Sequence, residues 1–208
     1  RDGEDGSSQY SSVINFTPTN AYTLTVNDGS GTNSYVPVYG LYVDDYSYSQ
    51  FIIPASTLAN MQWSTINKMT FYSSTASAQW TNAMFEVYMT ETADTTLSAL
   101  ADWSTMNKVM NEAHLEISDN KMVVTLDTPF AYSDGNLMVG IKQTVSGSYT
   151  SANFLGVTAN GASMGGHGTS VSQKNFLPKT TFNYIPGEEP SCKKPKNLAA
   201  FDIDKTSV

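Results

Sequence analysis

A chain of 208 residues has room for one domain of about 165 to 185 residues with its own core. Lys and Arg number 11 against 19 Asp and Glu, and the net charge of -8 repels phosphate backbones, so no nucleic-acid partner is expected. Only 14% of residues are charged, while Ser, Thr, Asn, Gly and Tyr abound, a neutral hydroxyl- and amide-rich composition expected of an extracellular or outer-surface β protein.

The opening Arg1-Asp2-Gly3-Glu4-Asp5-Gly6-Ser7-Ser8 is charged and glycine-rich, and residues 1–18 are expected to form a flexible segment or a first edge strand. It lacks the apolar run of an export signal, so export is expected with that signal already removed. No stretch reaches the ~18 to 20 apolar residues of a membrane-spanning helix. Tyr22, Leu24 and Val26 alternate with Thr23 and Thr25, and Asn27-Asp28-Gly29-Ser30-Gly31 follows with turn residues, so a hairpin is expected there.

The same period of two recurs at Tyr46, Tyr48, Gln50 and Ile52, from Ile66 to Tyr72, and at Phe85, Val87 and Met89. It continues at Leu115 and Ile117, at Met122, Val124 and Leu126, at Leu137, Val139 and Ile141, at Leu155 and Val157, and at Phe182 and Tyr184. Asp119-Asn120 and Ser133-Asp134-Gly135 mark tight turns between strands. Only Pro54 to Ala59 and Thr95 to Leu100 read as helical, each at most two turns long. About nine or ten short strands with regular turn signals predict an all-β fold: a two-sheet antiparallel β-sandwich of jelly-roll type, spanning residues 19–185.

Residues 186–195 then bring Pro186, Pro190 and Pro195 together with Glu188, Glu189, Lys193 and Lys194. Proline lacks the ladder N–H and the charges resist burial, so this segment is expected to be a linker. Cys192, the single cysteine, falls in it and precludes both an intrachain disulfide and a Cys-based metal site. Residues 196–208 regain apolar spacing at Leu198, Phe201, Ile203 and Val208, too few to enclose a core, and are expected to open a further domain.

Leu24-Thr25-Val26-Asn27-Asp28-Gly29, Ser34-Tyr35-Val36-Pro37-Val38-Tyr39-Gly40, Tyr46 to Ala55 and Ile66 to Tyr72 resemble a recurring β-sandwich module. That module occurs in surface and secreted proteins of gut and oral anaerobic Gram-negative bacteria, adhesin-like and protease-associated proteins among them. Phe85 to Thr92, Asp102-Trp103, Leu126 to Tyr132 and Asn136 to Gly140 resemble its later strands. The similarity covers roughly residues 22 to 185. Pro195 to Ala200, with Ile203 and Thr206-Ser207-Val208, is similar to the opening of a fibronectin type III domain.

Chemistry is sparse. Nucleophilic catalysis needs a base beside a hydroxyl or thiol, and the only histidines are His114 and His167. Glu112, His114 and Glu116 share a strand face by parity, which could suit a metal site but is favoured as an ordinary solvated face, since exposed strand faces are normally polar. His167 lies in the glycine-rich stretch from Asn160 to Thr169, read as a flexible loop that either contacts ligand or merely connects. Asp44, Asp45 and Asp134 are candidate ligands for a structural calcium ion, though aspartate is also an ordinary turn former. No other cofactor is expected.

Aromatics offer more. Tyr35, Tyr39, Tyr42, Tyr46 and Tyr48 fall within fourteen residues, and Trp80 stands in the polar run from Ser77 to Asn82. Flat rings beside amides suit carbohydrate, which stacks on a ring face and hydrogen-bonds through its hydroxyls. Trp80, Tyr46, Tyr48 and His167 are thus the candidate ligand contacts, with core packing the competing role for Trp80 and the tyrosines. The expected function is that of a non-catalytic module in a secreted or cell-surface multidomain protein. It would bind a surface glycan or a host protein, or space its neighbouring domains. The alternative is an accessory domain of a secreted protease or glycoside hydrolase.

Overall fold

The structure, a computed structural model, describes residues 21–189. The N-terminal segment 1–18, residues 190–195 of the linker with Cys192, and the fibronectin-like segment 196–208 lie outside the described residues.

Two antiparallel sheets face each other. In the first, β1 (Tyr22–Val26), β13 (Thr180–Pro186), β4 (Ser64–Tyr72) and β9 (Lys121–Tyr132) lie side by side in that order. The second runs β12 (Ser170–Pro178), β11 (Phe154–His167), β3 (Ser47–Ile53), β10 (Asn136–Val145), β6 (Met84–Thr92) and β7 (Asn107–Ala113). A short β2 (Gly31–Asn33) also pairs with β11, while β5 (Ala78–Gln79) and β8 (Glu116–Ile117) form a separate two-stranded ribbon. The helical content is confined to 3-10 turns at Gly40–Asp45, Ala55–Thr57, Ala59–Met61 and Trp103–Thr105. This is the predicted all-β sandwich of jelly-roll type.

Inward-facing residues from both sheets build one core. Phe51, Phe71, Phe85, Phe154 and Phe182 are fully buried, and Phe51 meets Phe71 edge-on across the interior at 6.0 Å. Taking each such ring out of water contributes about 1.5–3 kcal/mol before conformational costs are subtracted. A second, smaller cluster lies on the outer face of the larger sheet, where Ile52, Tyr88, Met138 and Met164 are covered by Leu97 and Met106. Residues 93–106 therefore act as a flap over that face. Gln50 ties the flap down: its carbonyl accepts the Ala101 N–H at 2.6 Å and its amide donates back to the Ala101 carbonyl at 3.1 Å.

Several expectations are corrected by these elements. The turn after Val26 does not close a hairpin. β1 pairs with β13, Tyr22 opposite Tyr184, whereas β2 pairs with β11, so the turn carries the chain from one sheet to the other. Asn27 makes that possible with a left-handed φ of 53°, a conformation asparagine tolerates. Thr95 to Leu100 is not helical; it belongs to the flap. The stretch from Asn160 to His167 is not a flexible loop but the second half of β11: Asn160 to Ala162 form a bulge, and Ser163 to His167 pair on both sides, with β12 and with β3. Thirteen strands are present among the described residues, more than pattern alone predicts. The added ones, β2, β5, β7 and β12, are edge or very short strands.

A candidate binding surface at one end of the sandwich

The loops at one end of the sandwich are laced together by backbone bonds. Thr150 N–H donates to Gly40 O at 3.0 Å, Gly147 N–H to Val43 O at 3.2 Å, and Ser148 N–H to Thr81 O at 2.9 Å. The Gly168 N–H closes the set, shared between Asp45 O at 2.9 Å and Tyr46 O at 3.1 Å. Residues 40–46, 145–150 and 167–168 thus form one connected surface, with Thr81 tied to its margin.

An aromatic chain crosses it. Tyr35 and Tyr39 have ring centroids 4.3 Å apart, Tyr39 and Tyr42 are 5.0 Å apart, and Tyr42 stacks on His167 at 3.9 Å with planes 11° from parallel. Lys174 caps the other end, its ammonium 3.7 Å from the Tyr35 centroid, a cation–π contact. The His167 ring is oriented by Asp45, whose carboxylate Oδ2 lies 2.8 Å from Nδ1. A carboxylate only accepts, so Nδ1 carries the hydrogen and donates.

Glycine is required beside this pair. Gly168 has φ 47°, and a Cβ there would lie 2.8 Å from an Asp45 carboxylate oxygen. Tyr46 also takes a left-handed φ of 53°, strained for a bulky residue. The sharp turn it makes separates the loop from β3.

Ionisation follows burial and neighbours. Burial pushes the Tyr39 hydroxyl up from 10.0 to about 12, with the adjoining Tyr35 and Tyr42 adding to the shift. Burial also raises Tyr48, helped by Tyr46 and by the charge of Asp45. Elsewhere, on the outer face of the larger sheet, burial works to raise Glu86. Hydrogen bonds from Lys108 and Tyr88 outweigh it and hold the carboxyl below its ordinary value.

Of the sequence-predicted contacts, His167 meets Asp45 and Tyr42, while Tyr46 and Tyr48 flank Ser47, which lies opposite His167 in the sheet. Tyr46 is 39% exposed and Tyr48 half-buried. Trp80 is not an exposed platform. It is 2% exposed, packs edge-on against Phe85 at 6.0 Å, and donates its indole N–H to Thr150 O at 2.8 Å. Its polar sequence neighbours conceal that placement, because Ala78 and Ala83 on either side also turn inward.

The proposed calcium ligands separate. Asp44 and Asp45 belong to this surface. Asp134 lies in the turn between β9 and β10, at the far end of a ten-residue strand, roughly 30 Å away at the usual rise of a strand. Glu112 does not join His114 and Glu116: it stays on β7, while His114 leaves that strand with its Nδ1 2.8 Å from Ala83 O and Glu116 starts β8. Among the described residues, no three His, Cys, Asp or Glu side chains are placed to hold a metal ion.

The candidate contacts did not include Tyr42 and Leu41, exposed apolar groups of this surface at 38% and 43%. The density of tyrosines between positions 35 and 48 was the available signal. Comparison of the chain with known family models, with curated proteins and with solved structures finds no match. No helix among the described residues is long and apolar enough to cross a membrane.

Proposed function

We propose that this sandwich is a non-catalytic binding module of a secreted or cell-surface multidomain protein, and that it takes carbohydrate at its laced loop end. Tyr42, Tyr46 and Leu41 offer apolar faces, and Asp45 offers an exposed carboxylate to sugar hydroxyls. The reading rests on one observation above all: Tyr42 is exposed yet fixed, one face stacked on His167 and the ring in tilted contact with Tyr39. A ring already fixed in place loses little side-chain entropy on stacking against a ligand. The weakly charged, hydroxyl-rich composition supports an extracellular setting.

A glycan array tests it. Binding to one or a few related glycans is expected, with loss in Tyr42→Ala and in Tyr46→Ala, both variants remaining folded by circular dichroism. Absence of binding across the array, or binding indifferent to both substitutions, sinks the reading.

A further inference from the structure

A shallow depression of about 370 Å³ opens beside Trp80, lined on one side by Gln79, Thr81 and Asn82 and on the other by His114 and Glu116. Its size lies at the low end of the ~300–1,000 Å³ of small-molecule sites, enough for a ligand much smaller than a peptide. We propose that it is a subsite for a single neutral sugar unit, distinct from the Tyr42 surface and independent of the reading made for that surface.

The argument comes from the hydrogen-bonding groups it presents. His114 Nδ1 lies 2.8 Å from the carbonyl of Ala83. A carbonyl only accepts, so Nδ1 must carry the hydrogen, and Nε2 of the neutral ring is left as an acceptor. Glu116 Oε2 accepts from the Gln79 amide at 3.2 Å, which fixes the carboxylate and leaves Oε1 as a second acceptor. The amide of Asn82 and the hydroxyl of Thr81 supply donors on the facing wall. Asn82 is held outward by a left-handed φ of 66°, and the turn it sits in is closed by Ala83 N–H donating to Trp80 O at 2.9 Å.

Acceptors on one wall and donors on the other suit the alternating hydroxyls of a pyranose. The margin of the indole gives the floor an apolar edge. With a carboxylate and no lysine or arginine in the lining, an acidic sugar is disfavoured.

Titrating the chain with methyl β-glucoside, methyl β-galactoside, methyl α-mannoside and N-acetylglucosamine, read by backbone amide shifts, tests this. At least one sugar should shift residues 79–82 and 114–116 at millimolar concentration. Its affinity should fall about tenfold or more in Glu116→Ala and in His114→Ala and stay unchanged in Tyr42→Ala. Glucuronate should bind more weakly than glucoside. The proposal is overturned if none of the four sugars shifts those amides, if the shifts survive both substitutions, or if glucuronate binds as tightly as its neutral counterpart. Because the shifts are read first in the unsubstituted chain, a folding defect in a variant does not protect the idea. A failed Tyr42 reading would leave this result standing.

Discussion

The His167 imidazole lies flat on the Tyr42 ring, centroids 3.9 Å apart, while its Nδ1–H is spent on Asp45. One side chain thus joins the end of β11 to the loop 40–45, and the aromatic pair is worth about 0.5–1.5 kcal/mol beyond its buried area. His167→Ala is expected to lower stability by about that amount and to weaken glycan binding more than Asp45→Asn does, because only the first removes the stacking partner of Tyr42. Thermal melts and array binding of the two variants check it; equal binding losses would mean that orientation by Asp45, not stacking, controls Tyr42.

Gly168 allows Asp45 to reach that histidine. Gly168→Ala combines a left-handed φ of 47° with a methyl 2.8 Å from the carboxylate, and a loss of about 1–2 kcal/mol is expected from the backbone alone. The carboxylate clash adds to it. In Gly168→Ala combined with Asp45→Ala the clash is gone but the φ strain remains, so the double variant should be more stable than the sum of the single effects implies. Strict additivity in a chemical-denaturation cycle would show that the methyl and the carboxylate do not meet.

The flap over the larger sheet depends on Gln50. The side chain is fully buried, and both its donor and its acceptor pair with the Ala101 backbone. Gln50→Leu keeps the volume but strands a buried N–H and carbonyl, at a cost of about 1–3 kcal/mol. Amide exchange across residues 93–106 should accelerate while exchange in β4 and β13 stays slow. If the flap amides remain as protected as before, the apolar contacts of Leu97 and Met106 hold it without Gln50.

The strands with clean alternation were legible in the sequence, as at Met122, Val124 and Leu126, because one face is wet and the other dry. β3 was half legible. Its period of two is real, but Ser47, Ser49, Phe51 and Ile53 face the core while Gln50 and Ile52 lie under the flap, so both faces are buried and parity does not reveal which is inside. The second half of β11 was hidden for a different reason. Gly161, Gly165 and Gly166 signal flexibility locally, yet Gly165 and Gly166 pair with β3 and β12 on both sides, and Gly161 is held in a bulge by Asn175 and Leu97. The candidate surface suffered from both problems. The tyrosine cluster was visible, but its completion by His167 requires residues 122 positions apart to meet, and the burial of Trp80 depends on the carbonyl of Thr150, which no local pattern announces.

Alkaline pH should loosen the fold through two tyrosines. Burial raises Tyr39 from 10.0 to about 12. Burial likewise raises Tyr132 to about 12, reinforced by the charges of Glu91 and Asp134. The Tyr132 hydroxyl donates to Gly135 O at 2.8 Å, a bond that is lost with the proton. Below pH 10 both residues are protonated in the folded and unfolded chains alike, so stability does not change there on their account. Between pH 10 and about 12 the unfolded chain gives up these protons first. Because the folded state then holds more protons, stability falls as pH rises, and the decline from these groups ends once the folded hydroxyls ionise too. Equilibrium denaturation followed by circular dichroism from pH 8 to 12 should show this loss, with tyrosinate absorbance rising late in the folded chain. In Tyr39→Phe and Tyr132→Phe together the loss over that window should flatten. A slope unchanged by the pair would assign the alkaline limb to other groups.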